Sequence, residues 1–189
     1  PFSVLNSCPA GAVMSSFKPL ALILFGLVLF FGAGGFLISP DWQVTRSVVI
    51  HAPAEAVHEH VVNLHNWEAW SPFEEEDPTM RFVYQGPEAG AGARRSWTSE
   101  QGRDGWMEIT ADTPGRGIRY VIGMDDQEFA GAMTYEAASN GTQVIWTHHG
   151  TLGDNPLRRW MALMMDSLLG SQLERGLDNL KRLSESTAG

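Results

Sequence analysis

The 189-residue sequence predicts an α+β domain, a curved antiparallel sheet closed by a long C-terminal helix, behind one N-terminal transmembrane helix. Three observations predict it. The stretch from Pro19 to Ile38 has no charged residue. Between Gln43 and Leu152, short segments alternate apolar and polar residues at the strand period. From Pro156 to Ser184 the period changes to that of a helix.

The first segment, residues 19–38, is long enough to span. At ~1.5 Å per residue it reaches about 30 Å, the thickness of a bilayer's hydrocarbon core. Lys18 precedes it, Asp41 follows it, and Trp42 falls where an interfacial aromatic anchors a span. The expected topology is a single pass with the N-terminus cytoplasmic and the domain extracytoplasmic. The alternative is a signal peptide cleaved near Gly32-Ala33-Gly34. Met14 is the first methionine, so residues 1–18 read as a leader, with initiation expected at Met14.

Composition limits the partners. From Asp41 onward, twelve Lys and Arg face twenty-two Asp and Glu, a net charge of −10 that repels phosphate backbones. No nucleic-acid partner is expected. The one cysteine, Cys8, lies in the leader and leaves the domain without a disulfide. Residues 43–184 form the domain and 185–189 a tail.

In Gln43 to Ile50 the residues Val44, Val48 and Ile50 share one side, as a strand requires. Pro53 then opens a helix whose stripe is Val57, Val61 and Leu64. A loop through Ser71-Pro72-Phe73 and the acidic run Glu74 to Asp77 leads into six strands. These are expected near 80–85, 93–98, 105–111, 118–124, 131–137 and 143–152, with turn residues between them, as at Thr113-Pro114-Gly115 and Asn140-Gly141. The closing helix is expected to break at Gly170, since Ser171-Gln172-Leu173-Glu174 reads as a capping box that restarts it. Leu173, Leu177, Leu180 and Leu183 form the buried stripe of its second half.

Four stretches carry a family resemblance: Ile50-His51-Ala52-Pro53-Ala54-Glu55-Ala56-Val57, Trp67-Glu68-Ala69-Trp70-Ser71-Pro72, Gly141-Thr142-Gln143-Val144-Ile145-Trp146 and Gly176-Leu177-Asp178-Asn179-Leu180-Lys181. With their order, residues 43–183 resemble the START-like (SRPBCC) superfamily, in particular its membrane-anchored polyketide cyclase/dehydrase and lipid transport type. The resemblance implies the helix-grip fold, in which the sheet wraps the long helix. That fold hosts carriers, cyclases and regulators alike.

A curved sheet gripping one helix is expected to leave an apolar cavity. Strand alternation turns Trp97, Tyr120, Ile122, Met133, Tyr135, Trp146 and His148 toward it, and Met164 reaches it from a methionine-rich part of the last helix. Arg95 shares the side of Trp97. Parity at Trp106 is ambiguous, and Glu108 becomes an inward carboxylate only if Trp106 faces in.

Catalytic and metal groupings are absent from the pattern. His58-Glu59-His60 lacks zincin spacing, His58 and His65 stand two helical turns apart, and this histidine cluster reads as a solvated helix face. Residues 74–77 lack calcium-loop spacing and read as a solvated turn. No metal, cofactor or catalytic residue is expected. Three functions remain: a membrane-tethered module that binds a hydrophobic small molecule or lipid, a polyketide cyclase/dehydratase-like enzyme using His148 or Tyr135 as acid or base, and a protein-interaction module of the cell envelope. The residues favour the first.

Overall fold

The computed structural model describes residues 17–187 other than residue 126. The leader up to residue 16, with Cys8 and Met14, and the last two tail residues lie outside the described residues.

One helix, α1 (Phe17–Gly35), precedes the domain. Its large apolar side chains are exposed on every side, from Phe31 at 44% to Leu22 at 71%. The helix ends at Gly35, short of the expected Ile38, and Pro156 packs on Gly35 so closely that a Cβ would not fit. Residues 36–38 continue as turns bonded back to Ala33, Gly34 and Gly35. Among the described residues, no helix is long and apolar enough to cross a membrane.

The sheet has seven strands: β1 (Asp41–Ile50), β2 (Arg81–Gln85), β3 (Arg94–Thr98), β4 (Gly105–Thr113), β5 (Gly117–Met124), β6 (Gln127–Ala138) and β7 (Gly141–Thr151). All neighbours are antiparallel, in the order β1-β7-β6-β5-β4-β3-β2. The meander brings β7 back to β1, pairing Val44 with His148 and Val48 with Val144. Between β1 and β2 the chain forms α2 (Ala54–Val62), a 3-10 helix (Leu64–Ala69) and the five-residue α3 (Pro72–Glu76).

Two further helices, α4 (Pro156–Ala162) and α5 (Met165–Thr187), close the chain. Asn155 caps α4 through its side chain and Pro156 fills the first position, where a missing N–H costs nothing. The break falls at residues 163–164, and the break expected at Gly170 does not occur. Gly170 is buried inside α5 because the Arg46 guanidinium occupies the space a side chain would take. Leu173, Leu177 and Leu180 are buried against β1 and β7, Leu183 is half-buried, and Gly176 admits the Trp146 ring, 2.6 Å from where a Cβ would stand. The architecture is the helix-grip arrangement: α+β, with one large curved antiparallel sheet and a C-terminal helix across its inner face.

Candidate functional site

The inner face is written in two rows of the sheet. Tyr120, Gly131 and His148 stand side by side on β5, β6 and β7, and Ile118, Met133 and Trp146 form the next row. Gly131 has no Cβ, so the Tyr120 ring lies across it, in the space a methyl group would take, and reaches His148. The Tyr120 Oη is 2.6 Å from His148 Nε2 and accepts from Trp146 Nε1, also at 2.6 Å. Trp146 uses the only proton on Nε1, so the tyrosine O–H is free to donate to His148 Nε2. The histidine proton then sits on Nδ1, which has no partner.

Burial sets the charge of this network. It pushes the His148 imidazole down to about 4 and the Tyr120 phenol well above its ordinary value. Both are neutral at neutral pH. A base that weak is poorly matched to proton abstraction there, whereas a neutral donor and acceptor suit recognition.

The space in front of these residues is filled. Trp67, from the 3-10 helix, meets Tyr120 edge-on at 5.5 Å and Trp146 at 6.1 Å, and Trp70 meets Trp146 at 5.4 Å. Trp67 and Trp70 are fixed in turn by hydrogen bonds from their Nε1 atoms to the carbonyls of Val61 and His60. Side chains lining an empty ligand-sized cavity would remain open to water, yet Trp146 and Met133 are 0% exposed and Tyr120 is 1%. The cavity expected from the sequence is packed with aromatic rings.

Of the residues expected to line a cavity, Tyr120, Met133, Trp146 and His148 come together, with Ile122 and Tyr135 buried on the same wall. Trp97 is half-buried near the β3–β4 hairpin, where its Nε1 donates to the Arg103 carbonyl at 3.0 Å. Met164 stands apart: it is 57% exposed, on a patch with Leu163 and Leu168. Trp106 lies on the outer face under Arg94, and Glu108 pairs with Arg94 there, so Glu108 is not an inward carboxylate.

Two inward carboxylates arrive by other routes. Glu74, on α3, approaches Arg95 from the helical side, with Oε1 accepting from Nη1 at 2.5 Å. The Arg95 guanidinium lies 5.2 Å from both the Trp67 and Phe82 rings and is buried. Burial raises the Glu74 carboxyl, against the pull of Arg95. Glu74 thus departs from the solvated turn expected for 74–77, whereas Glu75 and Glu76 are exposed; Glu76 binds Arg175 and Gln172, and Asp77 binds Ser99 and Thr79.

Asp112 turns inward because a bulge between Ile109 and Ala111 shifts the parity of β4. Its Oδ1 lies 3.0 Å from His58 Nε2, within ion-pair distance but off the hydrogen-bonding direction. His58 Nδ1 is 3.4 Å from the Tyr135 hydroxyl, whose pKa is pushed up by burial and by Asp112 so that it stays protonated. His58 is thus a buried residue and not part of a solvated face. Tyr135 opens on a cleft of about 500 Å³ lined by His51, Pro53, Gly115, Asn140 and Thr142. No cluster of three metal-ligating side chains occurs among the described residues.

A family model for polyketide cyclase/dehydrase and lipid transport matches residues 41–185. The chain belongs to that family. Solved structures agree on the fold. A protein from Chromobacterium violaceum is 16% identical, with a TM-score of 0.55 over 76% of this chain and 96% of its own. One from Mycobacterium smegmatis is 16% identical, with a TM-score of 0.55 over 77% and 92%. The di-domain ARO/CYC StfQ from the steffimycin biosynthetic pathway is 14% identical, with a TM-score of 0.59 over 96% of this chain and 63% of its own. Comparison with curated protein sequences finds no match.

Proposed function

We propose that the protein is a membrane-tethered START-like domain that binds a hydrophobic small molecule or lipid between its sheet and α5. The segment Leu64–Glu76 acts as the gate. The carrying observation is a pair of buried polar atoms without partners beside that segment, His148 Nδ1 and Arg95 Nε. Each unsatisfied buried group costs about 1–3 kcal/mol. In a wall that is otherwise apolar they are handles for a ligand admitted when Trp67 and Trp70 withdraw.

The tether is read from exposure. The all-round apolar shell of α1 continues onto α4, where Trp160 packs on Phe30 and Phe31 and donates to the Phe31 carbonyl at 3.0 Å. Leu157, Met161, Leu163, Met164 and Leu168 extend the exposed apolar surface from there. Such a continuous patch is unusual for a surface facing water and suits a bilayer. The N-terminus lies in the cytoplasm and the domain outside.

Native mass spectrometry of the full chain released from nanodiscs tests the binding. A small apolar molecule should be retained, and Trp67→Ala should increase uptake of apolar probes. Absence of saturable binding in both forms would refute the carrier reading.

A second reading, cyclase- or dehydratase-like catalysis, is favoured by the Asp112–His58–Tyr135 arrangement at the cleft. It requires turnover of a poly-β-ketone thioester that falls roughly 10²- to 10⁴-fold in Tyr135→Phe.

A further inference from the structure

We infer that the ligand is an apolar molecule with a terminal carboxylate, which takes the place of the Glu74 carboxylate on Arg95. This rests on the carrier reading above and names the chemistry of its ligand. A guanidinium presents a planar fork that matches a carboxylate with two parallel hydrogen bonds. Arg95 makes one with Glu74, from Nη1 to Oε1, while Nε, on the far edge of the guanidinium beside Nη2, has no partner. Glu74 thus holds the guanidinium by a single hydrogen bond and leaves its Nε edge unused. A carboxylate at the end of an apolar chain that displaces Glu74 can take two parallel hydrogen bonds along one edge of the fork.

The pair is also reachable. Glu74 and Ser71 line a solvent-open cleft of about 760 Å³ whose apolar wall includes Trp70, Met80, Phe82 and Leu183. Phe82 borders both the cleft and the Arg95 guanidinium. Glu74 is therefore the partition between the cleft and the inner arginine. Burial disfavours its ionised form, against the pull of Arg95. Glu68, Glu75 and Asp77 outnumber Arg182, the one cation lining the same cleft, so the apolar chain must contribute the attraction and the carboxylate the orientation.

The test uses the full chain in nanodiscs of zwitterionic lipid, titrated with dansyl-undecanoic acid and with its methyl ester, after subtraction of empty nanodiscs. The acid should bind at least about tenfold more tightly than the ester, the size expected of a charge-assisted pair. Glu74→Gln should tighten acid binding further and widen the preference for the acid over the ester. Arg95→Gln should remove the preference; should that variant not fold, the Glu74→Gln arm decides alone. Equal affinities for acid and ester, unchanged by Glu74→Gln, would overturn the assignment while leaving the carrier reading intact. Binding of neither probe to the wild type or to Trp67→Ala would overturn both.

Discussion

Arg94 and Arg95 are neighbours on β3, and each pairs with a glutamate beside a tryptophan. Arg94 lies 3.0 Å from Glu108 and 3.9 Å above Trp106, on the outer face. Arg95 lies 2.5 Å from Glu74 and 5.2 Å from Trp67, on the inner face. The side chains of the outer pair are 34% and 38% exposed, those of the inner pair 6% and 10%. The contacts are alike in kind and differ in solvent. Water screens the outer pair, and either partner can be rehydrated if the other is lost. The inner pair has no such recourse, so its members depend on each other or on a ligand that replaces one of them.

Removing one inner partner should therefore have the largest effect. Glu74→Ala is expected to cost about 3–5 kcal/mol in urea denaturation, because it leaves a buried guanidinium uncompensated. The double variant Glu74→Leu with Arg95→Met should recover most of that loss, since apolar side chains of similar volume dispense with both charges. A Glu74→Ala protein within about 1 kcal/mol of wild type would show that water already reaches Arg95, and the contrast between the faces would collapse.

Trp146→Ala tests whether the inner face is filled throughout. With the ring enclosed by Trp67, Trp70 and Gly176, truncation should cost the full ~3–5 kcal/mol of a packed core tryptophan. A markedly smaller loss in the same denaturation assay would indicate slack beside the ring that the packing does not display.

The next effect is a pH dependence. His148 is held neutral when folded, with its pKa lowered from 6.5 to about 4 by burial. Between those values the unfolded chain takes up a proton that the folded chain refuses, so stability falls as pH drops from 6.5 to 4. The fall corresponds to roughly 3 kcal/mol at most. Glu74 works in the opposite direction, because its carboxyl is raised by burial and the folded state protonates first. The comparison of wild type with His148→Gln isolates the histidine: urea midpoints of the two should diverge on acidification, the wild type losing more. Parallel pH profiles would show that His148 is already solvated.

The period-2 strands were legible because each buries one face of an antiparallel sheet, so Val44, Tyr120, Met133 and Trp146 could be assigned to the inside from alternation alone. What escaped depended on contacts distant in sequence or on local irregularity. A bulge at Thr110 reverses the parity of everything after it on β4, which placed Asp112 inside without any compositional mark. Glu74 sits in an acidic run whose pattern is that of a solvated turn, and only its cross-domain partner Arg95 draws its side chain out of water. Gly170 looked like a helix terminator because glycine commonly ends helices. Here it serves close packing on Arg46, a need that no local pattern announces. Gly131 was open to inference, since a glycine opposite Tyr120 in a strand marks a close approach. The filled cavity was not legible, because the tryptophans that fill it, Trp67 and Trp70, come from a six-residue 3-10 helix and its cap, too short to show a periodicity.

The smallest expected effect completes the contrast from the outer side. Arg94→Ala removes a guanidinium that pairs with Glu108 and covers the Trp106 ring. An ion pair with both side chains about one-third exposed contributes about 0–1 kcal/mol, and a cation over an exposed ring adds on the order of 0.5–1 kcal/mol. Neither leaves a dry charge behind, because Glu108 can be rehydrated. Loss of the arginine stem also uncovers part of Trp106, whose ring packs on Gly123 across the sheet. The expected total is about 1 kcal/mol, diminishing further in high salt, whereas the Glu74→Ala loss should be nearly independent of salt. Urea midpoints at low and high ionic strength measure both. A salt-independent loss of several kcal/mol in Arg94→Ala would mean that the outer face is covered by something that keeps water out, and the exposed pair would have to be read as an interface.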